Sequence, residues 1–321
     1  MKFKFKNFKS QIKAHFLFRE IRAIKISLEH LFEFIYYSFK QALRSYKRNR
    51  LQNYNSMLNY KRAHYLEKAM YCELVKSKDL NIIHKDLSEY LDTDEGKKDD
   101  CYIYLEKLRK EYLDYPENFK CFMLSTKRKQ WKAKDKKVLE NIIRRRRSIR
   151  SFGKEEISDE KFLKVIMAGS YAPSSCNAQP VNFITIKDKL LVRNLMDAAI
   201  GAKGWEDTVP YAILVLTDSR HYKPFIQHVI MYQDIAAAIQ NCLLMAEVQD
   251  LSACWVSLSS DNNTFNQEKI YKLFNIPEYM IIGGVIAIGE TSTNVCPVPR
   301  RNLSNIWHIN YFNDKNKKIK K

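Results

Sequence analysis

The sequence predicts a helical first half and a second half in which strands alternate with helices, the pattern of an α/β or α+β fold. Helix breakers are the first observation. Residues 56–130 contain almost none before Pro116, whereas seven of the eight Gly and seven of the eight Pro lie after residue 150. Apolar segments of strand length are the second, at residues 183–186, 211–216, 253–258 and 281–288. With 45% hydrophobic residues among 321, the chain can bury a sizeable core.

Residues 10–50 are expected to form one or two amphipathic helices, because apolar residues recur there at intervals of three and four. Residues 1–50 hold 13 Lys and Arg against 3 Asp and Glu. Such a basic stretch, rich in Phe and Tyr, can lie on an anionic membrane surface. The same apolar stripe can instead pack on the rest of the protein, so both interpretations stay open.

Residues 56–130 are also predicted to be helical, interrupted by an acidic loop at residues 92–100 that contains Gly96. His64 and Glu67 are three residues apart and therefore share one helix face. A metal site needs at least one more ligand, and none is spaced nearby. These two residues are therefore predicted to form an ordinary hydrogen-bonded pair, and no metal site is expected.

Charge divides the chain into two parts. The formal net charge is +19, yet residues 151–300 hold 12 Lys and Arg against 16 Asp and Glu. A basic run at residues 132–137 marks the change, so we predict a helical basic region at 1–135 and a second domain at 136–321. No zinc-finger, RNP or helix-turn-helix signature accompanies the basic segments, so no nucleic-acid partner is expected.

Cysteine usage favours a reducing compartment. The seven Cys contain no CxxC pair and are odd in number, which argues against a disulfide framework. No run of 18 uncharged apolar residues occurs, so no transmembrane helix is expected. We therefore predict a cytoplasmic protein, at the inner face of the membrane if residues 1–50 bind lipid.

Helices are predicted between the strands of the second half. One spans residues 158–170 and opens with a Ser158–Asp159 cap. A second spans residues 227–249 and is almost wholly apolar, as expected of a buried helix, often one between subunits. A short third helix begins at Asn266.

Three polar clusters in the second half carry the chemistry. The first is a run of arginines at 144–147 followed by Ser148 and Arg150, suited to a phosphate group or to a solvated basic patch. The second is a stiff polar loop between Pro173 and Pro180, which can present amides to a heteroaromatic ring or simply form a helix-to-strand turn. The third sets Arg300 and Arg301 beside prolines.

Together these clusters resemble the nitroreductase family of FMN-dependent oxidoreductases over residues 141–312. The resemblance is carried by Arg146-Arg147-Ser148-Ile149-Arg150, Pro173-Ser174-Ser175-Cys176-Asn177-Ala178-Gln179-Pro180, Gln240-Asn241, Ser252-Ala253-Cys254-Trp255, Ala287-Ile288-Gly289 and Pro299-Arg300-Arg301. It implies an α+β fold with a central, mostly antiparallel sheet flanked by helices. It also implies an intertwined homodimer with FMN at the interface.

The resemblance assigns site residues by matching position. Contacts to the FMN phosphate and ribityl chain are implied for Arg146, Arg147, Ser148, Arg150, Arg300 and Arg301. Residues that line the flavin ring are implied at Pro173, Ser174, Ser175, Asn177 and Gln179, with the Ser pair often contributed across the dimer. No catalytic side chain is expected, because the flavin carries the chemistry.

The implied activity is hydride transfer from NADH or NADPH through flavin N5 to a nitro, quinone or enone-like acceptor, by a ping-pong mechanism. The alternative is a flavin-binding interaction module with little turnover. Three positions depart from the family pattern: Val181 replaces a common aromatic residue, Asp250 a usual Gly, and Val298 an occasional basic residue. These three departures do not indicate which acceptor the protein reduces.

The first half bears a weaker resemblance. Its basic helical start and the His64-x-x-Glu67-Lys68 stretch resemble a subset of nitroreductase-like proteins with a helical N-terminal extension. Members of that subset occur near bacterial surface-polysaccharide biosynthesis functions, which links the interaction-module alternative to that setting.

Overall fold

The protein is described from a computed structural model, which covers residues 54–72, 80–114, 130–222, 228–258, 264–290 and 298–312. The amphipathic helix and the membrane contact predicted for residues 1–50 lie outside these ranges. So does Pro297, the first residue of the third polar cluster.

A four-stranded antiparallel sheet forms the centre of the second half. Its strands are β1 Val181–Ile186, β2 Tyr211–Asp218, β3 Leu251–Val256 and β4 Met280–Glu290, in the spatial order β1-β2-β4-β3. All three pairings are antiparallel. The predicted α+β class and antiparallel sheet are therefore confirmed. Strands β1 and β3 each begin two residues before the predicted 183 and 253, and Leu251 and Ser252 of β3 already pair with β4.

Helices precede and flank the sheet. Those of the first half are α1 Tyr54–Cys72, α2 Leu80–Leu91, α3 Asp94–Lys97 and α4 Tyr102–Asp114. Those that follow are α5 Ala133–Arg145, α6 Asp159–Ser170, α7 Lys189–Asp197, α8 His228–Val248 and α9 Thr264–Leu273. The predicted all-helical region before the sheet is confirmed for the described residues.

Strand alternation splits the core into two layers, as the period of two requires. One layer packs α6 and α8 against a sheet face that carries Ile213, Val215, Ile286 and Ile288. The other packs α7 and α9 against the opposite face, which carries Ala212, Leu214, Leu216, Val285 and Ala287. The sheet is thus covered on both sides, and its polar residues are left at its two ends.

The predicted capping of α6 is confirmed. Ser158 has extended backbone angles and its hydroxyl accepts from the Lys161 amide. The Asp159 and Glu160 side chains lie in the first turn, where the helix dipole favours acidic groups. These local interactions fix the start of α6 at the position that the sequence indicates.

Helix α8 is long and apolar enough over Val229–Val248 to cross a membrane by length and composition alone. A buried core helix passes the same test, and α8 packs on α6, β3 and β4. Its burial is not complete, because Val229 and Tyr232 are about half exposed in the single chain. An apolar helix with such a free face has surface available for another chain.

Three local features differ from the sequence predictions. The acidic loop at 92–100 contains the helical turn α3, capped by Thr93, whose hydroxyl accepts from the Gly96 amide. Helix α7 was not predicted, although Asp188 caps it by accepting from the Leu191 amide. Helix α5, which contains most of the basic run at 132–137, was also not predicted. Short caps and charged helix starts carry weaker periodicity than long apolar helices, which explains these omissions.

Helices α1, α2 and α4 form a unit with a core of its own, which we call the helical unit (residues 54–114). Its buried side chains include Leu66, Met70, Leu87 and Leu105, and this core is separate from both layers around the sheet. His64 Nδ1 lies 3.7 Å from Glu67 Oε2, so the two residues are neighbours as predicted but are too far apart for the predicted hydrogen bond. The division at 135–136 stays a prediction, and it falls within the first turn of α5.

Asp250 occupies the turn between α8 and β3 with a φ of 56°. That is the left-handed region, which glycine enters at little cost and which Asp tolerates better than most residues. The Gly-to-Asp departure from the family pattern therefore keeps a backbone conformation that favours glycine.

Gly169 sets the close approach of α6 to α8 and β1. An added Cβ would lie 2.5 Å from Cys242 Sγ and 2.7 Å from Phe183 Cζ. We expect Gly169→Ala to lower the free energy of unfolding by about 1–3 kcal/mol, because overpacking forces neighbouring side chains to move. Urea denaturation followed by circular dichroism measures this. Ser170→Ala, at the next and exposed position, is the control, and equal midpoints for the two variants would contradict the expectation.

Candidate functional site

Three of the predicted phosphate contacts lie together at one end of the sheet. After α5 ends at Arg145, the chain runs alongside β3, where Ser148 forms a parallel bridge with Ala253 and the Ile149 amide donates to the Ala253 carbonyl at 3.2 Å. This pairing fixes the backbone of Arg146, Ser148 and Arg150, which we call the Arg/Ser cluster.

Cys254, the residue after Ala253 in β3, lies next to the Arg/Ser cluster. Burial raises the pKa of the Cys254 thiol, while the positive charges of Arg150 and Arg146 and a hydrogen bond with Ser148 oppose that rise. Ser148 and Arg150 are exposed and Arg146 is half-buried. Two guanidinium groups and a hydroxyl at one accessible spot are suited to a phosphate group.

Arg147 points elsewhere. Its Nη1 donates to the carbonyls of Arg144, Arg145 and Arg146 at 2.5, 3.0 and 2.9 Å. These are the last carbonyls of α5, where a cation is favoured by the helix dipole. In the single chain Arg147 therefore caps a helix that positions the Arg/Ser cluster.

The second cluster, the 173–179 loop, has an unusual backbone. Cys176, Asn177 and Gln179 all have left-handed φ values, of 53°, 50° and 51°. For residues other than glycine this conformation costs roughly 1–2 kcal/mol each, somewhat less for Asn. A backbone of this kind persists where its surroundings hold it, and it is found often at functional sites.

Asp234 of α8 holds the 173–179 loop from the inside. Both of its carboxylate oxygens lie 3.1 Å from the Ser175 amide nitrogen, and Oδ2 accepts the Tyr222 hydroxyl at 2.7 Å. Asp234 is only 7% exposed. Burial raises the pKa of its carboxyl, and the hydrogen bonds from Tyr222 and Ser175 oppose that rise. The buried carboxylate thus fixes one amide of the loop.

A buried ion pair supports the same end of the sheet. Arg220 donates to both oxygens of Asp218, with Nε–Oδ1 at 2.9 Å and Nη2–Oδ2 at 2.5 Å. Its guanidinium carbon lies 3.7 Å from the centre of the Tyr279 ring. The Asp218 amide in turn donates to the Pro180 carbonyl at 2.9 Å, directly after the 173–179 loop.

Helix α1 of the helical unit packs on the outer side of the loop, against the short 3₁₀ turns Ser175–Asn177 and Ser219–His221. Lys61 Nζ donates to the His221 carbonyl at 2.6 Å. His221 Nε2 lies 3.3 Å from the Ser175 carbonyl. The helical unit is therefore tied to the predicted flavin-lining residues.

The two clusters lie at opposite ends of the sheet. Ser148 bridges Ala253 of β3, Ala253 pairs with Ile288 of β4, and Ile288 pairs with Tyr211 at the start of β2. The residue that follows the 173–179 loop, Pro180, instead accepts a hydrogen bond from Asp218 at the end of β2. Seven steps along a strand span roughly 20 Å. The short ribityl chain of FMN does not bridge that distance, so one chain alone does not bring both clusters to one FMN.

Arg300 and Arg301 lie on an exposed segment after the sheet. Arg301 Nη2 donates to the Asn305 carbonyl at 3.3 Å. Most large apolar side chains around them are also exposed, namely Leu303, Ile306, Trp307, Ile309, Tyr311 and Phe312.

Sequence reasoning missed the residues that hold the site. Asp234, Lys61 and the Asp218–Arg220 pair belong to none of the three polar clusters predicted from the sequence. Asp234 carried a signal, because an acidic residue within an apolar helix needs a buried partner. Lys61 carried none, since it is one of many lysines in a basic helical region. Among the described residues, no group of three or more His, Cys, Asp or Glu converges as a metal site.

Comparison with known proteins decides the family. A profile described as the nitroreductase family matches residues 143–290. A protein from Archaeoglobus fulgidus, named as an NADH dehydrogenase/NAD(P)H nitroreductase, is 30% identical over 149 residues, which cover 46% of this chain and 82% of that protein. The chain belongs to the nitroreductase family. A further relative, the FMN reductase [NAD(P)H] of Bacillus subtilis, is 24% identical over 165 residues, covering 48% of this chain and 66% of that protein.

Solved structures are also similar. A crystal structure of an NADH dehydrogenase/NAD(P)H nitroreductase from Bacteroides thetaiotaomicron is 26% identical, with a TM-score of 0.48. The match covers 55% of this chain and 98% of that one. The family profile begins at residue 143, so the helical unit of this nitroreductase lies outside the region that the profile matches. The weaker resemblance of the first half to a subset of the family therefore stays a prediction.

One further motif of this nitroreductase has a structural role. Asn241 Nδ2 donates to the Ala168 carbonyl at 3.1 Å and so ties α8 to α6 near Gly169. Asn241 of the Gln240-Asn241 motif thus supports the packing of α8 on α6.

Proposed function

We propose that this nitroreductase is an FMN-dependent oxidoreductase that moves hydride from NADH or NADPH to a nitro, quinone or enone-like acceptor by a ping-pong mechanism. The observation that carries the proposal is the Arg/Ser cluster, which the bridge between Ser148 and Ala253 holds against β3. The name of the Bacillus subtilis relative, an FMN reductase [NAD(P)H], supports the same cofactor and donors.

The residues present fit FMN. Arg146, Ser148 and Arg150 would hold its phosphate, because guanidinium groups bind phosphate with paired hydrogen bonds. Arg300 and Arg301 are proposed to add a closing contact, and Arg147 to act mainly through the end of α5. Pro173, Ser174, Ser175, Asn177 and Gln179 would line the ring.

When bound, FMN supplies the redox chemistry, accepting hydride at N5 from NAD(P)H and giving it to the acceptor. The protein supplies binding and orientation. The rigid 173–179 loop presents side-chain hydroxyls and amides at a fixed position, which limits the reorganisation needed when charge develops nearby. No side chain is required as nucleophile or general base.

We further propose that the active form is a homodimer with FMN at the interface. The two clusters lie roughly 20 Å apart along β2 in one chain, so a second copy must bring the 173–179 loop to the Arg/Ser cluster. Exposed apolar side chains on α5, Val138, Leu139 and Ile143, offer surface for that contact. The exposed segment around Trp307 offers more.

We propose a cytoplasmic location, with residues 1–50 docking on the inner face of the membrane as a separate expectation. The proposal is supported by the free cysteines, which among the described residues are Cys101, Cys176, Cys242 and Cys254.

The test is a visible absorption spectrum of the purified full chain before and after anaerobic NADPH or NADH. We expect a yellow protein that bleaches with one or both donors and recovers its colour with a quinone. Sedimentation velocity of the same sample should give twice the 38.0 kDa of one chain. A yellow protein that no donor bleaches would support the interaction-module alternative. A colourless protein that FMN does not reconstitute would contradict the proposal.

A further inference from the structure

Contacts on two sides hold the 173–179 loop. Inside, the Asp234 carboxylate accepts the Ser175 amide with both oxygens and the Tyr222 hydroxyl with Oδ2. Outside, helix α1 packs on the turn Ser175–Asn177. These contacts add to the hydrogen bonds within the loop, such as the one from the Gln179 amide to Ser174 Oγ at 2.9 Å.

The outer side includes one charged hydrogen bond in addition to the packing of α1. Lys61 Nζ donates to the His221 carbonyl at 2.6 Å, across 160 residues of sequence. The His221 ring then meets the Ser175 carbonyl at 3.3 Å, so α1 reaches the same residue that Asp234 holds. Hydrogen bonds from an ionised donor to a carbonyl are stronger than neutral ones, which makes Lys61 a firm attachment.

The loop conformation needs such support. Cys176, Asn177 and Gln179 have left-handed φ values that side-chain-bearing residues adopt reluctantly, so an unsupported loop would relax toward ordinary backbone angles. The Ser175 N–H donates to Asp234 on the inner side, and the Ser175 carbonyl contacts the His221 ring on the outer side. Loss of either hydrogen bond to Ser175 would therefore allow the left-handed residues next to it to change conformation.

We propose that the helical unit is a brace for the 173–179 loop, and that Lys61 is a positioning residue that holds this loop in its flavin-lining conformation. The unit has a core of its own and packs on the loop through α1. This inference rests on the proposed function, in which the 173–179 loop lines the flavin ring.

The variant that tests the brace is Lys61→Met, which keeps the aliphatic stem and removes the ammonium group. Its matched control is Lys68→Met on the same helix, an exposed lysine two turns further along. Lys61→Arg keeps the charge and should restore the wild-type behaviour in part. Because Lys61 lies outside the core of the helical unit, all three variants should fold, which thermal melting checks.

The first measurement uses no flavin. Amide hydrogen exchange of the flavin-free protein should be faster in residues 172–180 of Lys61→Met and unchanged there in Lys68→Met. A core peptide of β2 should exchange equally in all variants. Unchanged exchange of the loop in Lys61→Met would overturn the brace, whether or not the protein binds FMN.

The second measurement is FMN affinity by fluorescence titration, with the visible circular dichroism of the bound flavin as a readout of ring geometry. Lys61→Met should bind FMN about two- to thirtyfold more weakly, the range of coupling that residues outside a site transmit. Faster loop exchange with unchanged affinity and dichroism would refute the positioning role. A wild-type protein that binds no FMN would instead refute the proposed function, while the exchange data still decide the brace.

Discussion

Replacing both Arg146 and Arg150 with methionine is expected to weaken FMN binding by about a hundred- to ten-thousandfold. Each guanidinium would make charge-assisted hydrogen bonds to the phosphate, worth about 1.5–3 kcal/mol, and 1.4 kcal/mol corresponds to a factor of ten in affinity. Both arginines flank Ser148 on the segment that pairs with β3, so we expect them to act on the same group of the ligand. Equilibrium titration of the flavin-free variant with FMN, and with riboflavin, measures the effect.

Riboflavin separates the two explanations of a weaker affinity, because it has no phosphate. Its binding should change far less than that of FMN if the arginines contact the phosphate. The matched control is Arg144→Met, an exposed arginine of the same run that belongs to α5. Equal losses in Arg144→Met and in the Arg146/Arg150 double variant would show that only general positive charge matters.

Replacing Arg220 with methionine is expected to lower the free energy of unfolding by about 3–5 kcal/mol. The side chains of Arg220 and Asp218 are only 3% and 6% exposed, so the variant leaves a carboxylate buried without its partner. It also removes the guanidinium from the Tyr279 ring. Against a typical total of about 5–15 kcal/mol, this is a large fraction of the stability.

Urea denaturation at neutral pH gives the measurement. Arg193→Met is the control, since Arg193 pairs with Asp197 where both side chains are more than 40% exposed, and such surface pairs contribute about 0–1 kcal/mol. The double variant Asp218→Asn with Arg220→Met should recover part of the loss, because it removes the unpaired charge. A loss in Arg220→Met no larger than in Arg193→Met would contradict the buried-pair account.

The fold was largely predictable because its signals are local. The Ser158 hydroxyl caps α6 from three residues away, and β2 and β4 begin within one residue of the predicted starts. Two short helices with weak sequence signals were not predicted. The α3 turn inside an acidic stretch and the short helix α7 depend on single capping residues, Thr93 and Asp188, which apolar periodicity does not detect.

The candidate site was predictable only as separate motifs. Residues 146–150 and 173–179 each stand out by composition, and their resemblance to a family assigns them one ligand. Their placement follows from strand register, which sets Ser148 beside Ala253 at one end of the sheet and Pro180 beside Asp218 at the other. Register depends on side-chain packing across the whole sheet, so the composition of either motif does not reveal their separation.

The sequence by itself therefore determined the α+β class, the order of most helices and strands, and the residue types that suit a phosphate and a flavin ring. Only the tertiary structure decided what holds them. Asp234 lies 59 residues from Ser175, and Lys61 lies 160 residues from His221, yet each pair is in hydrogen-bond contact. Such contacts arise when independently formed elements pack together, and local propensity contains no information about partners that distant in the chain.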